Sequence, residues 1–594
     1  MPAKYAIGID LGTTNSALAY ASLEEGKLEL LSIPQIVAPA TVEPRPLLPS
    51  FLYLAPSQEA AAGAYNLPWA VKRDYAVGEF SRQQGADAPT RTVAGAKSWL
   101  CNTRVDRHQA ILPWNAPADV AKVSPVEASR RYLEHLAGAW NAAFPDAPLS
   151  RQTVVLTVPA SFDASARELT REAALSAGLP ENLVLLEEPQ AALYAWLASA
   201  EGGWRRILRE GDTLLVCDIG GGTSDFTLIG VTSENGELAL KRIAVGNHIL
   251  VGGDNMDLTL AHLARTAFAE KKVDVDAWQS VALWHTCRAA KELLLSNEGP
   301  ARQPVTVLGR GKRLVGGAIS VDLDRKSICS TLVEGFFPLC GIGAQPARQR
   351  ASGFRELGLP FEADAAITRH LAHFLTQHGA GKESPVRPTH VLFNGGVLKA
   401  APLRERLLEV IASWFDTTAP PRQLEGNHDL DFAVARGAAY YGMAKGGKGV
   451  RIRGGTARSY YVGIETAGLA VPGAPRPLRA RCVVPFGMEE GSETQVGGEE
   501  IGLVVGEQAH FRFFSSSTRK EDKPGDVLDR WSEEELVETD SMEATLPAAK
   551  GAQDGFVPVR FVSRITELGV LELWCESTVS EEKWKLEFSV REEG

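Results

Sequence analysis

No Cys-x-x-Cys pair occurs in this chain, and its seven cysteines, Cys101, Cys217, Cys287, Cys329, Cys340, Cys482 and Cys575, are odd in number and scattered. A structural zinc site is therefore a poor reading, and buried reduced thiols are the plain one. The sequence also has no apolar run of membrane-spanning length, and Asp10 interrupts the first apolar stretch where a secretion signal needs an unbroken core. A cytoplasmic location is expected. An excess of basic residues is missing as well, since the formal net charge is -11, which argues against nucleic-acid and anionic-membrane partners. What remains is an ordinary globular composition, 44% hydrophobic and 23% charged over 594 residues. That length is too great for one core and suits two to four domains.

The most informative stretch is Tyr5-Ala-Ile-Gly-Ile-Asp10-Leu-Gly12-Thr13-Thr14-Asn15-Ser16 and the apolar residues behind it. It reads as a strand, a polar tip and a second strand. Gly12 lets backbone approach a ligand, and the N–H and hydroxyl groups of Thr13, Thr14 and Asn15 suit phosphate oxygens. Asp10, an acid at the end of an apolar strand, suits a hydrated metal. Taken alone, such a tip is more often an ordinary turn. A second copy changes that balance: Thr213-Leu-Leu-Val-Cys-Asp218-Ile-Gly220-Gly221-Gly222-Thr223-Ser-Asp225 repeats the design, with Asp218 matching Asp10 and Gly220 matching Gly12. Two such units predict two lobes that present phosphate hairpins across a cleft.

Between and after the hairpins, strands and helices alternate as in an α/β protein. Strands are expected at Thr153 to Pro159 and Val184 to Pro189, and helices at Pro125 to Phe144 and Ala164 to Ala177. Further on, Gly252-Gly253-Asp254 opens a helix, residues 276 to 296 form another, and Thr389 to Asn394 is a strand ending at Gly395 and Gly396.

In their order and spacing these segments, from Ile7–Ser16 to Asp431–Ala439, resemble the successive motifs of DnaK-type seventy-kilodalton heat-shock chaperones over about residues 4 to 445. The resemblance implies an actin-like, ribonuclease-H-like two-lobed domain over 1–445 that binds ATP or ADP with Mg2+. It assigns Thr13, Thr14, Gly220, Gly221, Gly222 and Thr223 to the phosphates, with Gly12, Asn15, Gly252 and Gly253 also among the nucleotide-binding residues. Asp10 and Asp218 fall around the metal, and Asp225 and Glu188 order the attacking water. Lys291, Ser296, Gly395 and Gly396 hold adenosine, with Lys399 where an Arg commonly lies over the base. Pro159 and Arg167 take interlobe signalling positions. The family's Lys on the γ-phosphate corresponds to Arg82 in this reading, so hydrolysis is expected to be slow or altered, because a guanidinium does not replace an ammonium. Arg288 replaces an acid expected on the ribose. For Glu187, Glu188, Lys291, Arg82 and Arg167 an ordinary interlobe ion pair competes with a ligand role.

Residues 446–459 read as a flexible Gly- and Arg-rich linker without the family's apolar, acid-flanked docking linker, so interdomain coupling is expected to differ from the family's or to be weak. Residues 460–594 read as a β-sandwich-like domain that resembles the family's peptide-binding domain without its helical lid, and the pattern fades between 510 and 545. The expected function is an ATP-dependent chaperone whose β-domain holds client polypeptide, with a co-chaperone or nucleotide-exchange factor as further candidates. A nucleotide-sensing scaffold with little hydrolysis and a small-molecule kinase of the same superfamily stay open as alternatives, and an actin-like filament is a weaker one.

Overall fold

A computed structural model describes residues 2–114, 116–200, 202–234, 237–308, 318–347, 359, 361–379, 384–415, 419–426, 429–446, 452, 455–465, 478–489, 491–504, 508–545, 556–566 and 570–588. Its first half is built on two sheets of the same plan. In one, Tyr5–Leu11 pairs antiparallel with Asn15–Ser22 and parallel with Thr153–Val158, which lies beside Val184–Glu187. In the other, Thr213–Ile219 pairs antiparallel with Ser224–Glu234 and parallel with His390–Asn394. Each hairpin therefore has a buried parallel neighbour on one side, which explains why its strands are apolar almost throughout.

The register carries the likeness down to single residues. Asp10 lies opposite Thr157 and Asp218 opposite Asn394. Thr157 Oγ1 donates to Asp10 at 3.3 Å, and Asn394 Nδ2 to Asp218 at 2.9 Å. Both acids thus keep a neutral donor from the neighbouring strand.

Helices Glu188–Ser199 and Ala433–Lys445 cross where the two sheets meet. Their crossing is close because Gly437 has no side chain: a Cβ there would lie 1.7 Å from the carbonyl oxygen of Ala191. The apolar core is split between the halves, one cluster around Leu18, Tyr132, Trp140 and Leu156, the other around Phe226, Met256, Phe268 and Phe393. Among the described residues no helix is long and apolar enough to cross a membrane.

The C-terminal part is a pair of antiparallel sheets, of five and seven strands, with Val462, Val483, Phe513, Phe561, Leu573 and Leu586 between them. The stretch that sequence patterning could not resolve forms strands Phe513–Ser516, Val527–Leu528, Val537–Glu538 and Met542–Thr545. Its charged residues pair with one another, Arg519 with Asp522 and Glu535, while Trp531 and Leu536 cover Tyr461 and Phe514 on the outer face of the five-stranded sheet. The alternation was masked because Phe513–Ser516 is an interior strand buried at every position, while Val527–Leu528 and Val537–Glu538 are two-residue edge strands.

The linker, expected to be flexible, is docked at its described residues; residues 447–451, 453 and 454 lie outside them. Ile452 is buried in the apolar cluster of Tyr194, Trp196 and Leu214, and its N–H donates to the Tyr194 hydroxyl at 2.7 Å. The Gly455 carbonyl accepts from Arg242, which also pairs with Glu187. Further contacts tie the two parts together. Arg107 pairs with Asp540 at 2.8 Å with both side chains buried, and Lys520 Nζ donates to the Ile243 carbonyl at 2.9 Å. Docking here uses Ile452, the small cluster of Ala457 with Ala160 and Val245, and several polar groups, a pattern that hydrophobicity alone does not reveal.

Candidate functional site

The two hairpin tips face each other. A Cβ on Gly221 would lie 2.1 Å from Thr14 Oγ1, and one on Gly222 would lie 2.5 Å from Ser98 Oγ and 3.1 Å from Thr13 Cγ2. The second tip must be glycine for this approach to exist at all. Behind it, the Gly253 and Asp254 amides donate to the carbonyls of Gly220 and Gly221 at 3.0 and 2.7 Å, so Gly252 and Gly253 buttress the tip. The first tip is braced by Ser50, whose hydroxyl donates to the Gly12 carbonyl at 2.7 Å.

The tips open onto a cavity of about 660 Å³, lined by Asp10, Gly12 to Asn15, Arg82, Glu188, Asp218, Gly220, Gly221, Thr223, Gly253, Lys291, Ser296, Gly395, Gly396 and Lys399. Asp225, Gly222 and Gly252 do not line it. Lys97 does, and the sequence reading missed it. Its ammonium pairs with Glu188 at the cavity wall, and it is only 6% exposed. Burial pulls its pKa down, but Glu188 and Asp10 outweigh that and leave it raised. The signal was a single lysine inside the apolar run Val93-Ala-Gly-Ala-Lys97-Ser-Trp-Leu100, a place where an unpaired ammonium is costly to bury.

Arg82 lines the same cavity but pairs elsewhere. It sits in the helix Glu79–Asp87, bonds Glu79 at 3.1 Å and approaches Glu292 at 3.9 Å, and its side chain is 38% exposed. The cation beside Asp10 and Glu188 is Lys97, because the short helix Ala96–Trp99 points it inward, whereas the helix bearing Arg82 runs along the cavity rim.

Acid crowding defines the floor. Burial, with Glu188 next, pushes Asp10 up to about 7. Burial raises Asp218 well above its usual range, again with Glu188 next, and raises Glu188 and Asp225 as well. Among the described residues no three His, Cys, Asp or Glu side chains converge closely enough to hold a bare metal ion. The donor set instead fits a hydrated divalent cation, with Asp10 and Asp218 as outer acceptors, since magnesium keeps several waters beside one or two carboxylates and phosphate oxygens.

At the other end of the cavity the basic groups are taken. Arg288 gives Nε to Asp257 at 2.8 Å and a terminal nitrogen to Asp254 at 2.6 Å, while its plane stacks near Trp284 and Phe51. Lys291 pairs with Asp257 at 2.6 Å and donates to the Gly253 carbonyl at 2.9 Å. Lys399, 53% exposed at its side chain, pairs with Asp431 at 2.6 Å. Ser296 is exposed and donates to the Leu293 carbonyl. Gly395, at φ 86°, keeps the backbone clear of the Ile219 carbonyl, which a Cβ would meet at 2.2 Å. Arg167 bonds Glu187 at 2.9 Å, and Arg242 from the second lobe bonds the same carboxylate, so this interlobe ion pair is real.

Comparison with known proteins agrees with this geometry. A family model described as "Hsp70 protein" matches residues 6–328, more than half of the chain. The chain belongs to the Hsp70 family. Among its curated relatives, the chain is similar to the chaperone protein HscA of Enterobacter sp. (strain 638), 30% identical over 275 residues, which covers 44% of this chain and 38% of that one. It is 31% identical over 310 residues to the HscA homolog of Bordetella petrii, covering 50% and 43%. For the HscA homolog of Bordetella pertussis the figures are 30% over 367 residues, 60% and 50%. The chain thus spans about half the length, or less, of these relatives. For an Hsp70 member, two lobes around a nucleotide cleft and a C-terminal β-domain are the expected architecture, and the paired sheets and the sandwich are consistent with it.

Proposed function

We propose that this Hsp70 member is an ATP-dependent chaperone: residues 1–445 form an actin-like domain that binds and hydrolyses ATP between the two tips, 446–459 connect it, and 460–594 bind client polypeptide. The observation that carries this reading is the contact of Thr14 with Gly221, two phosphate-type turns from two related halves closing on one space above a floor of acids. Bound magnesium would supply charge neutralisation at the phosphates, which is most of what phosphoryl transfer to water requires. The chain's own residues do the rest. The tips orient the phosphates with backbone N–H groups and the hydroxyls of Thr13 and Thr14, while the Thr223 hydroxyl is given to Asp225. Lys97 brings a compact positive charge to the transferring group, while Glu188 and Asp225 order the water in line. A non-hydrolysing sensor is motivated by Arg82 in place of an ammonium and by the altered connector, and the buried Lys97 beside Glu188 favours hydrolysis over it.

The HscA relatives are named as chaperones, which supports the same assignment for this chain. Switching follows if ATP and ADP favour different closures of the lobes, and the docked residues Ile452 and Gly455 offer a route to the β-domain. A cytoplasmic location and a co-chaperone or exchange factor complete the proposal. It is tested with a fluorescent unfolded polypeptide: Mg·ATP is expected to change its affinity for the full chain by at least about tenfold. Equal binding with and without nucleotide would remove the chaperone reading and leave the nucleotide site standing.

A further inference from the structure

A line of buried polar groups joins Asp225 to the β-rich part of the chain. Asp225 is 3% exposed and accepts at Oδ2 from Thr223 Oγ1 at 3.0 Å, while Oδ1 has no hydrogen-bond partner among the described residues. Ser161 lies beside it, its hydroxyl and its amide both favouring the ionised carboxylate. The same hydroxyl is 2.7 Å from His248 Nδ1. The other ring nitrogen, Nε2, is buried and unpartnered. Close by stands Arg458, immediately before the strand Ser459–Glu465, 6% exposed and with an unpartnered Nε. It is held by the Gly246 carbonyl at 3.4 Å and the Ser515 hydroxyl at 3.3 Å.

Charge decides the tautomer. Burial, then Arg458, then Lys97 hold His248 down at about 4, so the ring is neutral and one nitrogen is bare. A proton on Nε2 would leave a buried N–H unbonded in the positive field of Arg458, whereas a lone pair there is favoured by that field. The proton therefore sits on Nδ1 and is donated to Ser161 Oγ. Because the serine oxygen now accepts, its own O–H is free to turn to Asp225.

We propose that His248, kept as the Nδ1–H tautomer beside Arg458, is a positioning residue for ATP hydrolysis: it turns the Ser161 hydroxyl onto Asp225 and so fixes the carboxylate that orders the attacking water. Arg458 comes from the far side of the connector. Docking of the β-domain thereby sets the relay, and undocking withdraws the charge that selects the tautomer. This inference rests on the hydrolytic reading of Asp225 given above.

Two readouts on the full chain test it. Nitrogen-15 histidine spectra of the nucleotide-free protein, assigned by comparison with His248→Asn, are expected to show the Nδ1–H form, and Arg458→Met to show Nε2–H or an exchanging mixture. In single-turnover hydrolysis, His248→Leu and Ser161→Ala are expected to lose about tenfold in rate with ATP affinity within about threefold of wild type. His248→Asn, whose amide N–H takes the place of Nδ1–H, is expected to return to within about threefold of the wild-type rate. An Nε2–H ring in the wild type overturns the proposal. So does a wild-type rate in His248→Leu, or an Asn variant as slow as the Leu variant. If His248→Leu fails to fold, Ser161→Ala carries the kinetic arm alone. Wild-type protein that binds ATP and leaves it intact would instead defeat the hydrolytic reading on which the relay depends.

Discussion

At the phosphate end of the cleft Asp10, Asp218, Asp225 and Glu188 share one buried ammonium, Lys97; at the other end Arg288, Lys291 and Lys399 are each matched by Asp254, Asp257 or Asp431. The first end holds more acids than cations, so its carboxyls are pushed toward keeping protons until a cation arrives with the ligand. The second is neutral before anything binds, so it contributes shape and backbone contacts more than charge. On the proposed reading, the difference puts the grip on the phosphates and their metal, with the base held loosely.

Substitutions at the two ends should therefore diverge. Replacing Lys97 by Met is expected to reduce single-turnover hydrolysis by about 10²- to 10³-fold, since it removes a preorganised charge at the transferring group. ATP affinity should fall much less, and an equal loss in both would move Lys97 from catalysis to simple binding. Next in size, Asp225→Asn should slow hydrolysis by about a hundredfold with nearly unchanged nucleotide affinity. Unchanged turnover would take the water away from Asp225.

A third effect concerns stability. Asp10 is raised from 3.8 to about 7 by burial and then by Glu188, so the free folded protein holds a proton that the unfolded chain has already released. The stability linked to this proton is present below the unfolded pKa and is lost as pH rises through about 7. Asp10→Asn is expected to stabilise the free protein at pH 7.5 by roughly 1–3 kcal/mol and to flatten its melting temperature between pH 5 and 8. A destabilised, equally pH-dependent variant would show that Asp10 is already compensated without metal. The smallest effect belongs to the rim: Arg82→Lys should leave hydrolysis within about twofold, because an exposed pair with Glu79 contributes little. A large change in either direction would return Arg82 to the reacting centre.

The same contrast explains what could be read in the sequence. Both tips were legible because each packs acid, glycine and hydroxyl into a few consecutive residues, and because strand Asp10 and strand Asp218 are spaced alike from their glycines. The helices Pro125–Ala143, Ala164–Ser176 and Ala277–Leu294 also followed from periodicity and caps. Lys97 was not legible. It is brought to Glu188, 91 positions away, only by the way the first lobe closes, and the family resemblance pointed to Arg82 instead. The connector misled for a related reason: its composition is that of a flexible segment, while it docks through the scattered side chains of Ile452, Ala457 and Arg458 and the Gly455 carbonyl. Pairing with partners hundreds of residues away, as Arg107 does with Asp540, leaves no local pattern.

Calorimetric titration of ATP into the full chain, with and without magnesium, tests the central claim most directly. The account predicts one ATP per chain and a loss of at least about tenfold in affinity when magnesium is withheld, because the acids of the floor then repel the phosphates. Binding that is equally tight without the metal, or no binding at all, would contradict it.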